Sequence, residues 1–208
     1  ELAPRVLESV KVIEGDVVDL DPQAMKDHPL LKDTDAVFHC AADVNLGKDP
    51  TGRTFRINYN GTKNMVELAK LLKAKEFHYV GTAYIAGKLI GTAMENTPVD
   101  HGFNNPYEES KFKAEMLVRA SGIPFTVYRP AIITGRRSDG RIRKPLAFYR
   151  VLEFLGKLKS HYCAKHGISQ TDWAKLDINF ATVPSEHVYF VPIDYVQEAV
   201  TALFQLPV

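Results

Sequence analysis

Tyr107 and Lys111 stand four residues apart in Tyr107-Glu108-Glu109-Ser110-Lys111, a spacing of about one helical turn that puts both side chains on one face. An ammonium beside a phenol favours the phenolate over its ordinary pKa of about 10. The pair therefore predicts a proton donor usable near neutral pH. Tyr59/Lys63 and Tyr84/Lys88 share the spacing, so context has to choose among the three. Tyr59 lies inside a helical pattern behind Asn58. Tyr84 follows Thr82 by only two residues, too close for an independent hydroxyl at a strand end upstream of it. Tyr107 has such a residue: Thr82, 25 positions upstream, ends the apolar run Phe77-His78-Tyr79-Val80-Gly81. An amphipathic pattern then runs from Ser110 to Arg119, and a strand pattern, Phe125-Thr126-Val127-Tyr128-Arg129-Pro130, follows it.

The elements that must position these groups can be read in order. Val10-Lys11-Val12-Ile13-Glu14-Gly15 predicts a strand that runs into the turn Asp16-Val17-Val18-Asp19. Ligands of doubly wound sheets bind beyond the carboxyl ends of strands, so Asp16 is placed either to meet a cofactor or to be a solvated turn residue. Asp21 to Leu31 is a weak helix or loop. Ala36-Val37-Phe38-His39-Cys40 is a buried strand in which His39 reads as a packed core histidine, and it ends in Ala41-Ala42, small enough for a backbone to approach a ligand closely. A crossover helix spans Arg53 to Lys73. Within it, Asn58-Tyr59-Asn60-Gly61-Thr62 places a polar side chain and a glycine where a uniformly packed helix wants neither.

A long loop then leads from Ala83 to Pro106. After Pro130 the chain continues Ala131-Ile132-Ile133-Thr134-Gly135, where carbonyls left free at a strand end can accept from an amide. Arg136, Arg137, Arg141, Arg143 and Lys144 form a basic loop, either solvated or in contact with an anion. Pro145 to Lys165 is a helix dense in apolar and aromatic residues; it is either ordinary core or, with Ala131 to Gly135, the wall of a substrate cleft. A second short helix is expected from Thr171. Val188 to Ile193 is a strand, and Asp194 is placed to cap a last helix, Tyr195 to Gln205.

Strands alternating with helices predict an α/β fold with a parallel sheet, in 208 residues with 45% hydrophobic and 25% charged composition. A single domain is expected over 1–208, with a small substrate-side region around 136–190. The net charge of +1 argues against nucleic acid as a partner. Cys40 and Cys163 have neither metal-ligand spacing nor the density of a secreted scaffold, so no metal is expected and a reducing, cytoplasmic setting fits. No apolar run approaches the roughly 20 residues of a membrane span, and the first residues do not read as a signal peptide. No glycine-rich G-x-G-x-x-G turn occurs in a strand-to-helix context.

From about Val12 to Val200 these residues resemble an extended short-chain dehydrogenase/reductase, and more narrowly the thioester-reductase-like proteins: terminal reductase domains of nonribosomal peptide and polyketide synthases, and carboxylic acid reductases. Gly15-Asp16-Val17 is similar to the family's adenine-side turn, His39-Cys40-Ala41-Ala42 to its strand beside the cofactor, and Asn58 to Thr62 to its Asn-x-x-Gly-Thr helix. Thr82 matches its catalytic Ser/Thr, Gly102 to Lys111 its Tyr/Lys segment, and Tyr128-Arg129-Pro130 and Val191 to Val196 its later signatures. The resemblance implies a Rossmann-like doubly wound sheet ordered 3-2-1-4-5-6-7, here lacking its N-terminal strands and glycine-rich loop, an absence that about 60 upstream residues would make good.

It further implies NADPH-dependent reduction of an acyl thioester, on coenzyme A or an acyl carrier protein, to an aldehyde or alcohol. Thr82, Tyr107, Lys111 and Asn58 are the catalytic set, with Asn58 fixing the lysine through water or backbone. Asp16, Val17, Cys40, Ala41, Ala42, Tyr107, Lys111, Pro130, Ala131 and Ile132 would hold NADP. A nucleotide-sugar epimerase or dehydratase, which shares the Thr/Tyr/Lys set, and a non-catalytic dinucleotide-binding protein are the alternatives.

Overall fold

Three short apolar strands, β1 (Ala36–His39), β2 (Glu76–Val80) and β3 (Phe125–Tyr128), form a parallel sheet in the order β1-β2-β3. The structure is a computed structural model that describes residues 8–96, 98–143, 148–169 and 188–206. Phe77 pairs with Val37 on one side and Phe125 on the other. Parallel neighbours need a crossover between them, and two helices supply it. The first, α1, runs Arg53–Phe55, passes through a π-helical turn at Arg56–Asn60 and continues as Gly61–Leu71. The second, α2, is Pro106–Arg119.

Period-two alternation in the strands gives the sheet two different faces. Val37, Phe77 and Tyr79 pack with Val66 and Ala69 of α1 and Ala114 and Val118 of α2, which is the main core. On the other face His78, fully buried, lies between Glu76 Oε2 and Tyr128 Oη, each 3.0 Å away. The ring of Phe204 covers it at 4.4 Å between centroids.

The chain divides into two compact units, Glu1–Pro130 with Ala202–Val208, and Ala131–Thr201. In the second, β4 (Ile132–Thr134) pairs in parallel with β5 (Phe190–Pro192). Helix α3 is Phe148–His166, and helix α4, Ile193–Phe204, begins in this unit. The Tyr149 hydroxyl accepts from the Gly135 amide at 2.8 Å. Asp194 lies inside the first turn of α4 and does not cap it from outside; its carboxylate accepts from the Arg137 amide at 3.0 and 3.1 Å. Arg136 is paired with Asp139 and Arg137 with Glu198. No helix among the described residues is long and apolar enough to cross a membrane.

The expected strand at Val10 to Gly15 does not form. A strand is held by the ladder to its neighbour; this segment has no ladder, and Val10, Val12 and Ile13 are exposed. Asp21 to Leu31 resolves into a single helical turn, Pro22–Met25, and a 3-10 turn, Pro29–Leu31. The short helix expected from Thr171 and the start of the helix expected from Pro145 lie outside the described residues.

Candidate active site

Thr82 follows the β2 strand and is buried, in extended conformation. Its hydroxyl accepts from the Tyr84 amide at 3.2 Å and so caps the 3-10 turn Ala83–Ala86. That turn is seated by Gly87: a Cβ there would lie 2.1 Å from the Gly102 carbonyl oxygen, and its φ of +56° is one that glycine adopts freely.

Helix α2 aims Tyr107 at this strand end through its cap. Asn105 Oδ1 accepts from the Glu108 amide at 3.0 Å, Glu108 Oε1 accepts from Asn105 Nδ2 at 3.0 Å, and Pro106 fills the first turn. This reciprocal box fixes where the helix starts and how it is rotated. Tyr107 is 7% exposed, and its phenol lies close enough to the Thr82 hydroxyl to be influenced by it. Burial pushes the phenol above its ordinary pKa, the Thr82 hydroxyl draws it partly back, and neighbouring Tyr84 pushes it up again. The lysine-driven depression read from spacing is therefore not what the fold gives. Burial, which spacing cannot reveal, dominates.

Lys111 shares the face of α2 but is turned inward. It is 2% exposed, its ammonium donates to the Val80 carbonyl at 2.7 Å, and it lies 4.4 Å above the centre of the Tyr79 ring. Burial brings it down to about 8, with Cys40 and Glu115 acting in the opposite direction.

Asn58 sits in the π-helical turn of α1, a local widening that recurs at functional sites. Its Oδ1 accepts from the Asp43 amide at 2.8 Å, while Nδ2 donates to the Asp43 carbonyl at 3.0 Å and to Ser110 Oγ at 2.9 Å. No bond runs from Asn58 to the lysine. The side chain instead locks the loop after β1 against α2 at the residue beside Lys111. Gly61, in the same motif, allows close packing: a Cβ there would lie 2.8 Å from Val17 Cγ2. Asn64 Nδ2 donates to the Val17 and Val18 carbonyls, both at 2.9 Å. Asp16 accepts from the Val18 amide at 2.7 Å, the bond of a turn aspartate. The 16–18 turn is thus fastened to α1.

Thr62 completes the motif: its hydroxyl donates to the Asn58 carbonyl at 2.6 Å and lies 3.0 Å from His39 Nε2. His39 is a packed core residue, held neutral by burial and by the Lys111 charge, which bring it down to about 4. The buried Tyr79 hydroxyl faces Thr62 but makes no hydrogen bond of normal geometry among the described residues. Cys40, Ala41 and Ala42 are exposed, leaving the open, low-relief wall expected at the end of β1. The Pro130 carbonyl, expected to be free, accepts from the Ala83 amide at 3.0 Å. Ala131 and Ile132 open the second unit. No His, Cys, Asp or Glu cluster able to hold a metal occurs among the described residues.

Sequence reasoning found the four polar side chains but not Asp43, Ser110 or Tyr79, which couple them. The only local signal was the polar breach in α1, whose partners are remote in sequence.

Residues 1–200 match the NAD-binding family described as Male sterility protein. The carboxylic acid reductase of Segniliparus rugosus is 29% identical over 222 aligned residues, covering 98% of this chain and 17% of its own length. The fold is similar, with a TM-score of 0.75 and 23% identity, to the terminal R domain from the myxalamid PKS-NRPS pathway, over 99% of this chain and 50% of that one. A thiolation-reductase di-domain from an archaeal nonribosomal peptide synthetase gives 0.65 and 25% identity, over 94% and 40%. The chain spans about a sixth of the length of the curated relatives it matches.

Proposed function

The chain belongs to the NAD-binding Male sterility protein family, and from that membership we propose that it reduces an acyl thioester, on a carrier protein or coenzyme A, to an aldehyde or alcohol with NADPH. The observation that carries this reading is the meeting of the Thr82 hydroxyl and the Tyr107 phenol at the end of β2, with Lys111 one turn along the same helix. A Rossmann-type cofactor fits the surroundings. The wall at Cys40, Ala41 and Ala42 is small and exposed, and the 16–18 turn is held against α1. Asp16 and Val17 would take the adenosine side, Cys40 to Ala42 the middle, and Tyr107, Lys111 and Pro130 the nicotinamide side. When bound, NADPH supplies a hydride.

The protein's part is electrostatic and protonic. Thr82 and Tyr107 donate hydrogen bonds to the thioester carbonyl oxygen, where negative charge gathers as the carbonyl carbon is reduced. Tyr107, whose pKa burial holds above the ordinary value, is protonated at neutral pH and so is a donor. The proton given by Tyr107 to the oxyanion passes to the sulfur as the C=O re-forms and the C–S bond breaks, so one hydride and one proton yield aldehyde and free thiol; the alcohol would need a second hydride and proton, from a second NADPH. Lys111, anchored on Val80, presents its remaining N–H groups to the ribose and restrains Tyr107. Asn58 acts at one remove, as a positioning residue for the β1 loop and Ser110.

The test is product analysis on the full-length protein given NADPH and octanoyl-coenzyme A. The proposal predicts free coenzyme A with a trappable aldehyde or alcohol. Retention of tightly bound NAD with turnover of a nucleotide sugar would replace it by an epimerase.

A further inference from the structure

Next to Thr82 in sequence, the 3-10 turn Ala83–Ala86 and the loop that follows it line a cavity of about 430 Å³ that is open to solvent. Its lining is mainly apolar, with Ala83, the residue next to Thr82, and Ile85, Leu89, Met94 and Val99, and it carries polar groups at Thr92, Glu95, Asn96, His101 and Arg129. Met94 and Val99 leave 62% and 52% of their surface exposed.

The wall is braced by a buried carboxylate. Glu115 of α2 accepts from Arg119 Nε at 2.7 Å, from Arg129 Nε at 3.0 Å and from Arg129 Nη2. The same two arginines reach on to the loop. Arg129 Nη1 donates to the Met94 carbonyl at 3.1 Å and Arg119 Nη2 to the Glu95 carbonyl at 3.0 Å. Both guanidiniums are therefore committed to Glu115 and to loop carbonyls, so neither arginine is free to fork onto a phosphate. Its chemistry suits an alkyl chain better than a nucleotide or a sugar.

We propose that this cavity takes the acyl chain of the thioester whose carbonyl stands at Thr82 and Tyr107, an inference that rests on the reductase reading. Ile85, Leu89, Met94 and Val99 then set chain-length preference, and Glu115 is a positioning residue that holds the loop in place.

The test uses S-alkyl coenzyme A thioethers from ethyl to octyl, which lack a carbonyl and cannot turn over, with dissociation constants measured by calorimetry on the full-length protein. Affinity should rise roughly fourfold per buried methylene until the cavity is full. Ala93→Trp, on the exposed loop lining the cavity, should cut the octyl-over-ethyl gain by at least tenfold and change ethyl binding less than twofold. A flat wild-type series, or a slope that Ala93→Trp leaves unchanged, overturns the proposal. The wild-type series decides on its own even if the variant folds poorly. Failure of the reductase reading shows separately, as no turnover of octanoyl-coenzyme A with NADPH while the thioether series keeps its slope.

Discussion

Replacing Asn58 by alanine removes three hydrogen bonds at once: two to the Asp43 backbone and one to Ser110. The side chain is 1% exposed, so water does not readily take its place. At about 1 kcal/mol net per bond, the loss is about 3 kcal/mol, more if the Asp43 amide or carbonyl stays buried without a partner. The assay is urea denaturation followed by circular dichroism, with the slope m checked for constancy. A double-mutant cycle with Ser110→Ala should return a coupling of about 1 kcal/mol, since that pair shares one bond. A loss below about 1 kcal/mol with no coupling would refute the clamp, and with it the claim that the π turn holds the β1 loop against α2.

Lys111→Met should raise the dissociation constant of NADPH and lower kcat together, because the proposal gives one buried ammonium both the ribose contact and the support of Tyr107; an effect on only one would divide the role. For wild type, kcat/KM should fall as pH rises through about 8, where Lys111 loses its charge in the free protein, and Lys111→Arg should move that limb upward. His39 titrates near 4 in the fold and at 6.5 ordinarily. The unfolded chain therefore takes up the proton first, so this contribution is complete above pH 6.5 and is lost as pH falls to 4. The shift corresponds to about 3 kcal/mol. Comparing urea midpoints of wild type and His39→Gln at both ends of that window should show a smaller acid loss in the variant, and equal losses would contradict the assignment.

The elements that follow from short-range pattern were legible: β1, β2 and β3 as apolar runs, α1 and α2 as periodic ones, and the Asn58-to-Thr62 breach as a local anomaly. What the breach does was not legible, because Asn58 acts on Asp43 and Ser110, 15 and 52 positions away, and Gly61 answers to Val17. The Val10 segment has strand composition, but a strand depends on a neighbour that composition does not show. Spacing placed Tyr107 and Lys111 on one face correctly. Their proton affinities follow burial, which moves the phenol up and the ammonium down, and burial emerges only from packing.

Single-turnover kinetics with octanoyl-coenzyme A test the central claim most directly, following loss of nicotinamide absorbance and release of free thiol together in wild type and Tyr107→Phe. Wild type should oxidise one nicotinamide per thiol released where the product is the aldehyde, and two where it is the alcohol. The variant should lose both while its stability stays within about 1 kcal/mol, since only a hydroxyl is removed. Thiol release without cofactor oxidation, or cofactor oxidation at an unchanged rate in Tyr107→Phe, would contradict the account.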